Sequence, residues 1–132
     1  MKTLTNGIIT IGVNEHGAEL CSLKCKGREY LWGAYPEYWK RHSPVLFPIV
    51  GSVWDGEFHS KGKTYKMGQH GFARDMDFAL LSVSDDEIWY ELRYSEETLQ
   101  KYPYEFILRI GYKLHDSTVD VCWEVENPSD EE

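Results

Sequence analysis

Several things are scarce in this sequence, and each scarcity removes a class of function. No apolar run approaches the roughly 20 residues a helix needs to cross a bilayer, so no helical membrane span is expected. Basic charge is in short supply. Fourteen Lys and Arg face 22 Asp and Glu, for a formal net charge of −8. Nucleic acid and anionic membrane surfaces both call for a basic patch, so neither is expected as a main partner. Part of the acidity is local, concentrated in the stretch from Glu124 to Glu132. Cysteine is limited to Cys21, Cys25 and Cys122. An odd number makes a poor disulfide framework, Cys21 and Cys25 lack CxxC spacing, and no histidine stands beside them in sequence to complete a zinc set. They read as small buried hydrophobes. His42 and His59 likewise have no partner at metal-ligand spacing, so no zinc site is expected. The opening residues Met1 to Gly7 carry no apolar core of a secretory signal, which suggests a cytoplasmic protein.

Aromatic residues, by contrast, are plentiful at 14%, and flat rings suit either sheet faces or a sugar-binding surface. The dominant hydrophobic period is two. Ile9, Ile11 and Val13 alternate with Thr10 and Gly12, and Asn14 to Gly17 supplies turn chemistry before a return strand over Ala18 to Lys24. A turn at Lys26-Gly27-Arg28 leads to a short strand expected over Glu29 to Trp32. Further on, Ile88, Tyr90, Leu92 and Tyr94 share one face. Phe106, Leu108, Ile110, Tyr112 and Leu114 share another, and Val119, Val121, Trp123 and Val125 a third. Strands with one apolar face and short turns predict antiparallel sheets that pack on one side. Helix is confined to one short candidate after Ser95, an N-cap followed by Glu96 and Glu97 and stopped by Pro103. No repeat or low-complexity linker divides the chain, so residues 1–132 read as a single domain.

The stretch from about Gly33 to Asp75 differs from the rest. Long alternation gives way to Trp39, Lys40, Arg41, His42, Trp54, Asp55, His59, His70 and Arg74 among glycines and prolines. Loops on a rigid sheet are where binding groups concentrate, so the candidate site lies here.

Two stretches within that region carry a family resemblance. One is Ser43-Pro44-Val45-Leu46-Phe47-Pro48-Ile49-Val50-Gly51, preceded by Tyr38-Trp39-Lys40-Arg41. The other is Gln69-His70-Gly71-Phe72-Ala73-Arg74-Asp75. In this order and separation they resemble the aldose 1-epimerase (galactose mutarotase-like) family, in the bacterial branch related to hexose-phosphate mutarotases. Residues 17–24, 29–32 and the run from Tyr94 to Pro103 resemble the same branch, so the likeness covers nearly the whole chain.

The resemblance implies a mainly β protein, an antiparallel β-sandwich present here as its first half. Its chemistry would be interconversion of α and β sugar anomers by acid–base ring opening, with no cofactor. Position by position, His70 matches the family's first active-site histidine, a hydrogen-bond partner near the sugar ring oxygen. Arg74 would line or buttress that pocket. Arg41, or alternatively Lys40, would contact a sugar hydroxyl or phosphate through cationic donors. Trp39, Phe47 and Phe72 would form an apolar wall. Ser52 departs from the basic residue that many relatives carry after this Phe-Pro-Ile-Val-Gly stretch, which weakens the phosphosugar reading. The second histidine, in a His-Pro context, and the general-base carboxylate are expected beyond Glu132, so this chain by itself would be inactive or incomplete. Two alternatives stay open: a carbohydrate-binding module without catalysis, and a truncated remnant that oligomerises to cover exposed sheet edges. The expected partner is an aldose or hexose phosphate.

Overall fold

The period-two pattern folds into paired antiparallel sheets in a computed structural model that describes residues 1–132. Strands β1 (Lys2–Thr5), β2 (Ile9–Asn14), β3 (Glu19–Cys25) and β4 (Arg28–Glu29) form one sheet in chain order. A separate hairpin joins β5 (Glu57–Ser60) to β6 (Lys63–Lys66). The second large sheet takes β7 (Ala79–Val83), β8 (Glu87–Arg93), β9 (Ile107–His115) and β10 (Thr118–Glu126) in the order β10-β9-β8-β7.

The two inner faces make one core. Leu4 of β1, Ile9, Ile11 and Val13 of β2 and Leu20 of β3 supply one side. Ile88, Tyr90 and Leu92 of β8, with Leu108, Ile110, Tyr112 and Leu114 of β9, supply the other. Register explains the match: Ile88 pairs with Tyr112, Tyr90 with Ile110 and Leu92 with Leu108, so the apolar rows lie side by side. Each fully buried side chain of this size contributes about 1.5–3 kcal/mol. Across the sandwich, the Tyr112 hydroxyl donates to the Ala18 carbonyl at 2.6 Å.

The single helix, α1 (Glu96–Lys101), begins as its sequence suggests. Ser95 Oγ accepts the Thr98 N–H at 3.3 Å and Thr98 Oγ1 accepts the Ser95 N–H at 2.8 Å, a reciprocal cap. No helix is long and apolar enough to cross a membrane.

Other elements depart from the sequence pattern. The strand expected over Glu29 to Trp32 stops at Glu29. The reason is the Glu29 carboxylate, which accepts the N–H groups of Leu23, Tyr30 and Leu31 at 2.7, 3.1 and 3.1 Å and the Ser22 hydroxyl at 2.5 Å. A side chain thus takes the place of a ladder partner. Burial pushes this carboxyl upward, but those donors outweigh it and hold it down to about 2. The β5–β6 hairpin lies inside the stretch that lacks long alternation, and β1 and β7 show too little apolar alternation to be read as strands. Along β10 the alternation holds but its burial does not. Val121, Trp123 and Val125 pair with inner-face Tyr112, Ile110 and Leu108, yet remain 51%, 47% and 62% exposed.

Candidate functional site

The chain between β4 and β5 follows an irregular path that is fixed at a few points. The first anchor is Glu19 on β3. Its Oε1 accepts the His42 and Ser43 N–H groups at 2.8 and 3.0 Å, while Ser43 Oγ donates to the Leu20 carbonyl at 2.6 Å. Val45 and Phe47 then turn into the core, and the Phe47–Pro48 peptide is cis.

The second anchor joins the two stretches that carry the resemblance. Phe47 and Gly71 form a parallel bridge, and the Phe47 carbonyl accepts from the N–H groups of Phe72 and Ala73 at 3.0 and 3.2 Å. Gly71 has a φ of +71°, and a Cβ there would lie 2.2 Å from the Phe47 carbonyl oxygen. Only glycine fits this crossing.

His70 is placed by the same crossing. Its N–H donates to the Gly51 carbonyl at 2.7 Å, and its Nδ1 accepts the Gly51 N–H at 2.8 Å. One peptide position therefore grips both the backbone and the ring of His70, whose φ of 62° aims the side chain away from an ordinary extended path. Because a backbone N–H can only donate, Nδ1 is the lone-pair nitrogen and the ring proton belongs on Nε2.

The arginines are organised by Asp75. Arg41 Nη2 donates to Asp75 Oδ1 at 2.8 Å. Arg74 Nε lies 3.8 Å from Asp75 Oδ2, and Arg74 Nη2 donates to the Gln69 carbonyl at 3.0 Å, one residue from His70. Both guanidinium groups are largely covered, at 17% side-chain exposure for Arg74 and 23% for Arg41. Buried Arg74 Nε has no hydrogen-bond partner within the protein. Arg41, Arg74 and His70 are thus linked through Asp75 and the Gln69 carbonyl. Lys40 is exposed and forms no ion pair, so it stands outside that network.

The aromatic candidates divide. Trp39 is exposed, and its carbonyl accepts the Trp32 indole N–H at 2.8 Å. Phe47 and Phe72 are buried, with centroids 6.4 Å apart and planes at 86°. Phe106 lies 5.0 Å and Tyr102 6.2 Å from the Phe47 ring. Phe47 and Phe72 therefore underpin the two loops from the core side. A cleft of about 480 Å³ borders the crossing, lined by Gly71, Phe72 and Asp75 together with Lys66 and Lys101. A larger one, about 770 Å³, lies between Tyr102–Phe106 and residues 125–132 and holds none of the candidate side chains.

Sequence reasoning passed over Gly51 and Glu19, two of the residues that hold the candidates in place; Asp75 was visible beside Arg74 as an ion-pair partner, but its link to Arg41 was not. Gly51 closes the first resemblance-bearing stretch, which was the available signal. Glu19 had none, because its partners lie more than 20 residues away.

An antiparallel sandwich of two four-stranded sheets, with a histidine clasped at a loop crossing and two arginines on one aspartate, defines the class. Comparison with known proteins makes it specific. The family model described as aldose 1-epimerase matches residues 1–132, and the chain belongs to that family. Protein LacX, chromosomal, of Lactococcus lactis subsp. lactis is 34% identical over 131 residues, covering 94% of this chain and 44% of LacX. A galactose mutarotase related enzyme from Lactobacillus acidophilus superposes with a TM-score of 0.96 at 42% identity, over 98% of this chain and 44% of that one. A galactose mutarotase-like protein from Lactobacillus casei ATCC 334 gives a TM-score of 0.94 at 38% identity, over 99% and 45%. The chain thus spans under half the length of these relatives and corresponds to part of their fold.

Proposed function

We propose that the chain serves aldose mutarotation and carries one side of the sugar pocket, centred on His70. The double hydrogen bond between His70 and Gly51 is the observation that supports this reading most. With Nδ1 occupied by a donor, Nε2–H is the ring's one free hydrogen-bonding group. Aimed at the ring oxygen or a neighbouring hydroxyl, it withdraws charge from the anomeric centre as the ring opens. It acts as a fixed donor and not as a proton shuttle, because a second proton on Nδ1 would oppose the Gly51 N–H. Arg74 and Arg41, ordered by Asp75, offer forked donors to vicinal hydroxyls. Unpaired Lys40 suits a phosphate if the sugar carries one.

Proton transfer belongs, on the family resemblance, to a His-Pro histidine and a carboxylate outside residues 1–132. None of the five histidines here precedes proline. The names of the structural relatives make galactose the first aldose to test, followed by glucose and their phosphates.

Sugar titration followed by amide shifts should give saturable changes at Gly51, His70 and Arg74. His70→Asn should weaken binding about tenfold, the worth of one good hydrogen bond. Asn tolerates the left-handed backbone and can still accept the Gly51 N–H, so the loop survives. In polarimetry with freshly dissolved α-galactose, the 132-residue chain alone should leave the buffer rate unchanged. Absence of any shift at roughly 50 mM sugar, far above millimolar affinity, would overturn the pocket. Saturable acceleration lost in His70→Asn would instead overturn the placement of proton transfer elsewhere.

A further inference from the structure

Tertiary folding assembles a second cluster from two segments that the sequence keeps apart. Glu19 and Cys21 are two residues apart on β3, and His42 arrives from the following loop. The possible ligand atoms of all three lie within 4.8 Å of one another, and all three residues are half-buried.

Two local features produce this meeting. The first is a bulge: Val13 pairs with Leu20 and Gly12 with Ser22, leaving Cys21 as the extra residue without a partner. Bulges re-aim side chains and break strict alternation. The second is the Glu19 carboxylate, which holds His42 by its backbone N–H through Oε1 alone. The other oxygen, Oε2, makes no hydrogen bond within the protein.

From this geometry we infer that Glu19 Oε2, Cys21 Sγ and a His42 ring nitrogen form a Zn²⁺ site, with a fourth position open to water. The donor set is one thiolate, one imidazole and one carboxylate, which suits zinc in tetrahedral geometry, with bonds of about 2.0–2.3 Å. With such bonds, ligand atoms on a tetrahedral ion stand roughly 3.3–3.8 Å apart, and those of Glu19, Cys21 and His42 already lie within 4.8 Å of one another. Binding would displace the Cys21 thiol proton. The metal would tie the Arg41–Gly51 loop to β3 and is independent of the sugar-binding reading.

Co²⁺ is the first probe, because a thiolate ligand gives it a charge-transfer band in the near ultraviolet. The chain should bind one equivalent, show that band, and lose it when Zn²⁺ is added. Cys21→Ser should abolish the band. His42→Ala and Glu19→Gln should each weaken Zn²⁺ binding at least about tenfold, since even second-shell losses reach that size. Glu19→Gln keeps an oxygen for the His42 and Ser43 N–H groups, and near-ultraviolet circular dichroism checks that each variant is folded. Zn²⁺ should raise the Tm of the unsubstituted chain and leave that of Cys21→Ser unchanged. No band at tenfold excess Co²⁺, or a band that survives in Cys21→Ser, would overturn the site. Unchanged affinity in folded His42→Ala would do the same.

Discussion

Two regions of this chain hold their shape in opposite ways. Residues 87–126, the β8, β9 and β10 strands, repeat one interaction along their length. Inner apolar side chains pair across the ladder, and on the outer face Glu91 bridges Arg93 and Arg109, with Arg109 also 3.0 Å from Glu126. Residues 33–56 and 67–75, on either side of the β5–β6 hairpin, instead depend on isolated contacts, each made once: Glu19 on the His42 and Ser43 amides, Phe47 against Gly71, Gly51 on His70. A ladder spreads its free energy over many similar pairs and absorbs single losses. A loop held at a few points places polar groups freely but loses its geometry with any one of them.

That contrast can be broken most directly at Gly71. Gly71→Ala drives a methyl group into the Phe47 carbonyl and forces an L side chain into a left-handed backbone. Chemical denaturation should show a loss of more than about 3 kcal/mol, or no folded protein. Ile110→Val, in the most buried part of the ladder, should cost about 0.5–1.5 kcal/mol. Equal losses would remove the distinction between the two regions.

A smaller effect separates two tyrosines of the core. Tyr112 donates to Ala18, so Tyr112→Phe leaves a buried carbonyl without that donor and should cost about 1–2 kcal/mol. Tyr90 is fully buried, and its hydroxyl has no partner within the protein. Tyr90→Phe should therefore be neutral or stabilising by up to about 1 kcal/mol, measured in the same denaturation series.

The smallest effect disappears in acid. Folding lowers the Glu29 carboxyl from 4.5 to about 2, so its contribution is present above the upper value and disappears as pH falls through the lower one. Glu29→Gln removes it at every pH. Stability of the two proteins should differ at neutral pH and converge between about pH 4.5 and pH 2. A constant difference down to pH 2 would show that the carboxylate charge is not what holds the Leu23–Leu31 turn.

Legibility followed the same division. Alternation in β2, β8 and β9 was readable because burial on one face imposes a period of two, and the α1 cap was readable because its partners are three residues apart. The β5–β6 hairpin has only Phe58 stacked on Tyr65 at 5.4 Å, too little apolar pattern to register. At the candidate site, the residue types and the two stretches were visible. Their meeting at Phe47 and Gly71 was not, and neither was the burial of Phe47 and Phe72 beneath the loops.

The amino-acid order by itself determined the sheet-forming pattern, the capped helix, and the two stretches that mark an aldose 1-epimerase relative. These depend on neighbours a few residues apart. Tertiary structure alone decided which nitrogen of His70 carries its proton, which carboxylate orders Arg41, and that Cys21 meets His42. Those outcomes rest on contacts between segments about 20 or more residues apart, whose separation in the chain says nothing about their distance in space.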